Sequence, residues 1–280
     1  MDDLTGFPPG HYYSPIVDPS DAEVIRAVRN RTSASLPLGL TIDLAQMENT
    51  LRRFAIHNRL WPFPPRKSHG YRYYYENPFF ACHDASIYFC ALLEYRPRRV
   101  IEVGAGFSSC LLLDTREKFA GGGIDVTLID PSLDRLEALT EASQSPDTRL
   151  LECRLQDIPM HVFERLDTRD ILFIDSSHVA KTGSDVNHYL FEIFPRLAPG
   201  VIIHVHDILY PFEYPESWVV DEKRSWNEAY ILRAFLQYNH GFEILYWNNF
   251  VFHRSRELLQ SLMPLCQENE GGSLWLRKLK

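Results

Sequence analysis

From residue 81 onward, short apolar runs alternate with longer segments whose apolar positions recur every three or four residues. The runs at 99–103, 125–129, 149–155, 171–174 and 201–205 are short and apolar, and read as strands. The segments 84–95, 108–119, 133–142, 185–197 and 228–238 read as helices, the fourth stopping at Pro199-Gly200. Short apolar strands separated by helices predict a parallel sheet covered on both faces. Near the C-terminus, 242–247 and 250–253 flank Asn248-Asn249 and predict a hairpin. The expected fold class is α/β: a doubly wound, mostly parallel seven-stranded sheet with a C-terminal antiparallel hairpin.

Residues 1–80 follow another pattern. Clusters such as Phe7-Pro8-Pro9-Gly10, Trp61-Pro62-Phe63-Pro64-Pro65 and Tyr71-Arg72-Tyr73-Tyr74-Tyr75 break regular structure. Between them, 21–30 and 42–58 read as helices, with Thr41 and Asp43 as caps for the second. This predicts an N-terminal helical and irregular extension over 1–80, packed on a main domain over 81–280.

Composition narrows the classes of function. The 280 residues are 45% hydrophobic and 24% charged, an ordinary globular balance. A net charge of -8 opposes nucleic-acid binding, which needs a cationic footprint to displace counterions. A small-molecule substrate fits better. No apolar run is long enough to span a membrane, and the first residues lack a secretory pattern, so a cytoplasmic protein is expected. Cys82, Cys90, Cys110, Cys153 and Cys266 form no CxxC pair, which argues against zinc and disulfide frameworks. Nothing in the pattern fixes an oligomeric state.

The candidate chemistry begins at the first strand–helix turn, Glu102-Val103-Gly104-Ala105-Gly106-Phe107-Ser108-Ser109. Doubly wound sheets bind ligands outside the carboxyl ends of their strands. Gly104 and Gly106 let the backbone approach a ligand, and the helix opening at Ser108 and Ser109 offers free N–H groups. A nicotinamide fingerprint would carry glycine at Ser109, and the acid Glu102 suits a cationic ligand better than a pyrophosphate. Asp130, ending the second strand, can accept hydrogen bonds from ribose hydroxyls or cap the next helix. Gln156-Asp157 ends the third strand, and Asp157 is placed near an adenine edge.

These motifs, with Phe173-Ile174-Asp175-Ser176-Ser177-His178 and Leu197-Ala198-Pro199-Gly200-Val201-Ile202-Ile203-His204-Val205-His206-Asp207, make the stretch 77–211 resemble class I S-adenosylmethionine-dependent methyltransferases. Within them it is most similar to a bacterial branch with Asp-x-x-His at strand four and His-Asp after strand five. The resemblance implies a Rossmann-like methyltransferase fold with S-adenosylmethionine as cofactor. It places Glu102, Gly104 and Gly106 at the methionine portion and Asp130 at the ribose. One glycine, Gly200, precedes strand five where that family often has two.

Asp175, His178, His206 and Asp207 are expected at the same sheet edge. Carboxylates and imidazoles together can hold a divalent cation, or one imidazole can take a hydroxyl proton while an acid orients it. Related methyltransferases of catechols and sugars hold a metal there, which would assign Mg2+ or another divalent ion to Asp175, His206 and Asp207. His178 is the weaker catalytic candidate. The expected activity is O-methylation of a hydroxylated small molecule or sugar. The alternatives are a nicotinamide-dependent oxidoreductase and a non-catalytic S-adenosylmethionine-binding module.

Overall fold

Strand β1 (Arg99–Val103) is buried along four of its five residues and is an interior strand, third in the seven-stranded sheet. It pairs in parallel with β2 (Asp125–Asp130) on one side and β4 (Ile171–Ile174) on the other. β3 (Thr148–Glu152) extends the sheet beyond β2, and β5 (Ile202–Val205) extends it beyond β4. The remaining strands, β6 (Phe242–Trp247) and β7 (Leu274–Lys278), give the order β3-β2-β1-β4-β5-β7-β6. β7 lies between β5 and β6 and runs antiparallel to both. Burial on both faces explains why β4 reads Ile-Leu-Phe-Ile without alternation. The seven-stranded, mostly parallel α/β sheet agrees with the expectation.

The closing strand pair departs from it. Residues 248–254 form a helix, not a return strand. Asn248 and Asn249 are fully buried and bonded to Asp84, Glu270 and the Gly271 carbonyl, so they belong to the packed interior and not to an exposed turn. The chain reaches β7 only after further helical segments. The antiparallel pair is therefore closed by a long connection, not by a tight hairpin.

This computed structural model describes residues 6–31, 35–140 and 148–280. The end of the helix expected over 133–142 lies partly outside them. Helices α1 (Ala22–Arg29), α2 (Leu44–Asn58) and α3 (Cys82–Tyr95) precede the sheet. α4 (Phe107–Phe119) follows β1, α5 (Asp134–Thr140) follows β2, and α6 (His161–Glu164) follows β3. After β4 come α7 (Asp185–His188), a π-helical turn and α8 (Phe194–Arg196). After β5 come α9 (Glu228–Leu236), and after β6, α10 (Asn248–Arg254) and α11 (Arg256–Leu262).

The N-terminal residues share the main core. Val28, Met47, Leu51, Phe54, Phe63 and Tyr73 are buried in the same hydrophobic cluster as the sheet. The Tyr71–Tyr75 run is mostly core contact: Tyr73 is fully buried and its hydroxyl donates to the Phe80 carbonyl at 2.7 Å. The last turn of α1 reaches the segment after β5. Arg29 forms a bidentate pair with Glu216, and Arg31 donates to the Tyr210 carbonyl and to Glu270.

Candidate active site

The loop after β1 is fixed from below. Gly104 has φ +88°, and a β-carbon there would lie 1.8 Å from the Asp175 carbonyl oxygen. Only glycine allows the β1 and β4 ends to approach so closely. Glu102 is fully buried beneath the loop. Its Oε1 accepts from the hydroxyls of Ser108 and Ser109 at 2.7 and 2.6 Å. Ser109 Oγ in turn accepts from the Gly106 amide. Burial pushes the Glu102 carboxyl up to about 7, against the lowering effect of the two serines.

A cavity of about 1010 Å³ opens above this loop, lined by Gly104, Gly106, Ser108, Asp130, Asp175, His178, His206 and Asp207 among others. A second recess of about 400 Å³ shares Gly104, Asp130 and Asp175 with it and continues over Leu155 and Gln156. Asp130 accepts the Ala105 amide on one oxygen and the Ser132 amide on the other. Each carboxylate oxygen keeps a second lone pair for a ligand, so capping and ligand binding are compatible at this residue.

Three expected cofactor residues stand elsewhere. Glu102 and Ser109 are not on the wall of either cavity; they brace the loop from inside. Asp157 also lines neither, because it is exposed and paired with Arg154 at 2.9 Å. Gln156, one residue earlier, faces the recess instead. The short 3-10 turn at Leu155–Asp157 rotates the two side chains apart.

In the same cavity, Asp175, His178 and Asp207 bring one ligand atom each within 4.8 Å of one another. His178 Nε2 lies 3.4 Å from Asp175 Oδ1 and 3.6 Å from Asp207 Oδ2. His178 and Asp207 hold left-handed backbone conformations, φ 59° and 57°, in which side chains are uncommon and which cluster at functional sites. His206 also lines the cavity but stands outside this trio. Its ring packs on Phe80, its Nδ1 is 3.5 Å from Ser273 Oγ, and its Nε2 is 3.6 Å from Asp207 Oδ1. The expected metal set of Asp175, His206 and Asp207 is thus replaced by Asp175, His178 and Asp207 as the group that converges.

The electrostatics are dominated by burial and by the surrounding carboxylates. Burial alone would depress His178, but Glu228, Asp175 and Asp207 together hold it well above the ordinary imidazole value. Burial raises Asp207 above the usual carboxylate range, whereas His206 and His178 outweigh burial and keep Asp175 below it. His204, on the preceding inward position of β5, is fully buried against Phe173 and bonded through Nε2 to Ser273 Oγ, while its Nδ1 has no hydrogen-bond partner among the described residues.

Trp218 lies in the aromatic segment 210–218 that the sequence offers as a wall of a substrate pocket, but several other wall residues escaped the sequence reading. Phe79 and Phe80 line the cavity, with Arg135 over the Phe79 ring at 4.3 Å. Trp218 and Trp226 line it too, with the Arg224 guanidinium 4.4 Å from each ring. Of the aromatic segment after β5, Trp218 faces the cavity, while Tyr210, Phe212 and Tyr214 are core. Glu228 was invisible as a site residue because it reads as an acid in the first turn of a helix, where acids are common.

Comparison with known proteins follows the same lines. Residues 101–208 match the family model described as a methyltransferase domain. A protein of Archaeoglobus fulgidus, described as uncharacterized, is 33% identical over 168 residues, covering 58% of this chain and 74% of that protein. Among solved structures, a Klebsiella pneumoniae protein proposed to be an O-methyltransferase is 13% identical, with a TM-score of 0.39 over 93% of this chain and 91% of that one. An S-adenosylmethionine-dependent methyltransferase from Mesorhizobium loti is 15% identical, with a TM-score of 0.41 over 68% of this chain and 95% of that one. The match to a methyltransferase domain spans the glycine loop, Asp130, Asp175 and Asp207.

Proposed function

We propose that this enzyme transfers the methyl group of S-adenosylmethionine to a hydroxyl oxygen of a hydroxylated small molecule or sugar, assisted by a divalent cation at Asp175, His178 and Asp207. The observation that carries this reading is the convergence of those three side chains, in the cavity that also exposes Gly104 and Asp130. The donor would be held by the backbone of 104–106, by Asp130, and by the recess at Leu155 and Gln156.

The residues fit a cation of the Mg2+ or Mn2+ type. Two carboxylates and one imidazole offer oxygen and nitrogen ligands, and the cavity leaves space for water or an acceptor oxygen. Three carboxylates, counting Glu228, surround His178, so the pocket disfavours an anion and favours a cation. When bound, such an ion lowers the pKa of a hydroxyl it contacts and orients that oxygen.

The chain itself supplies alignment and proton handling. Phe79, Phe80, Trp218 and Trp226 line the cavity and would position the acceptor and limit its contact with water. His206, outside the converging trio but on the same wall, takes the proton at Nε2, with Asp207 Oδ1 3.6 Å away to stabilise the imidazolium. The bacterial-branch resemblance at Asp175–His178 and His206-Asp207 supports the same reading.

The test is methyl transfer from S-adenosylmethionine labelled in the methyl group, to a panel of phenols, polyols and sugars, with and without Mg2+. The proposal expects an alkali-stable methyl ether whose formation requires Mg2+. Product on nitrogen or carbon, or turnover indifferent to a chelator, contradicts it.

A further inference from the structure

The N-terminus of α9 and the residues before it grip the loop after β4 at four points, three of them on His178 and one on Ala180. Its backbone carbonyl accepts the amides of Asn227 and Glu228, at 3.1 and 3.2 Å. Its ring packs at a tilt against Trp226, with centroids 4.2 Å apart and planes 38° apart. Its Nδ1 meets Glu228 Oε2 at 2.7 Å. Two residues on, the Ala180 amide donates to Asn227 Oδ1 at 2.6 Å, and Asn227 Nδ2 donates back to the Ala180 carbonyl.

Glu228 is fully buried, an unusual position for a carboxylate unless it is paired. Its second oxygen is occupied by the Tyr189 hydroxyl, which donates at 2.6 Å. The carboxylate therefore has one partner on each oxygen and no contact with the cavity. An acid placed like this acts through the imidazole, not on a substrate.

We propose that Glu228 is a positioning residue of the active site, which with Tyr189 holds the proton of His178 on Nδ1 and presents Nε2 to Asp175 and Asp207. An imidazole has one ring nitrogen to donate and one to coordinate, and the partner of the first decides the second. Without the carboxylate behind it, the ring can turn over or carry its proton on Nε2, and the trio loses its nitrogen ligand. The same contact ties the wall carrying Trp218, Arg224 and Trp226 to the floor of the cavity, because these residues lead directly into α9.

This inference rests on the cation reading only for its effect on metal affinity, so the experiment separates the two. The first readout is the imidazole N–H proton spectrum of the metal-free protein, assigned with H178Q. A hydrogen-exchange-protected Nδ1–H signal of His178 is expected in the wild type. It should be lost or exposed to exchange in E228Q and shifted in Y189F. The second readout is Mn2+ binding followed by electron paramagnetic resonance. Loss of an outer partner of a ligating histidine typically weakens metal binding by about tenfold to a hundredfold. E228Q should show that loss while its S-adenosylhomocysteine affinity stays within about twofold of wild type. Absence of the protected Nδ1–H signal in the wild type, or E228Q matching wild type in both readouts, overturns the inference. A protected signal without Mn2+ uptake upholds the positioning role and removes the cation from the proposed function.

Discussion

The Asp175 carbonyl oxygen occupies the place a β-carbon on Gly104 would need, 1.8 Å from it. The Asp175 amide also donates to the Val103 carbonyl at 2.8 Å. The cofactor loop and the Asp175 backbone therefore form one close-packed junction between β1 and β4. G104A places a side chain against backbone at φ +88°, where strain alone costs about 1–3 kcal/mol. We expect a lowered melting temperature and lost S-adenosylhomocysteine binding by calorimetry. A variant that folds and binds as wild type does would show that the junction yields.

Asp130 serves both the loop and the ligand. D130N keeps an acceptor oxygen but loses the charge and one of the two backbone contacts to Ala105 and Ser132. S-adenosylhomocysteine affinity is expected to fall about tenfold, roughly the 1.4 kcal/mol of a charge-assisted hydrogen bond. Isothermal titration decides it; unchanged affinity would move the ribose contact elsewhere.

Glu102 gives a pH signature. Its folded value of about 7 lies above its ordinary value of 4.5, so its neutral form is favoured by folding. Its stabilising contribution is complete below pH 4.5 and is lost as pH rises through 7. The difference corresponds to on the order of 3 kcal/mol. E102Q removes this titration, so its stability relative to wild type should improve between pH 4.5 and 7 and level off above. Denaturant melts at three pH values test this, and a difference that does not change with pH contradicts it.

Arg31 links the N-terminal region to the segment that leads to the acceptor wall. Its side chain is only 10% exposed and meets Glu270 at 2.8 Å and the Tyr210 carbonyl at 2.9 Å. R31A removes the Tyr210 and Glu270 contacts while Asn249 and His253 still reach Glu270, a loss of about 1–2 kcal/mol. Hydrogen exchange in residues 208–218 should accelerate, while the 104–106 loop keeps its protection. Uniform exchange in both segments would deny the linkage.

The parts of this architecture that were legible in sequence are those set by local pattern. β4 at Ile171–Ile174 was bounded by Asp170 and Asp175, and Gly104 and Gly106 marked the turn that close packing demands. β7 at Leu274–Lys278 was missed because five residues ending in Arg-Lys carry no hairpin signal; its place between β5 and β6 comes from distant contacts. Phe250 and Phe252 mimicked strand alternation, but both lie in α10, whose neighbours bury them. At the site, Asp175 and Asp207 were found because strand ends point to one edge. The choice of His178 over His206 was not legible, since it depends on Glu228, fifty residues away. Glu102 showed its acidity in the sequence but not its direction, which the serines below the loop decide.

The most direct test of the whole account is a crystal structure with S-adenosylhomocysteine and Mn2+, read by anomalous scattering. The account predicts the ligand along 104–106 and Asp130, with a manganese peak bound by Asp175, His178 and Asp207. Homocysteine density away from that loop, or manganese absent from the trio at saturating concentration, would contradict it.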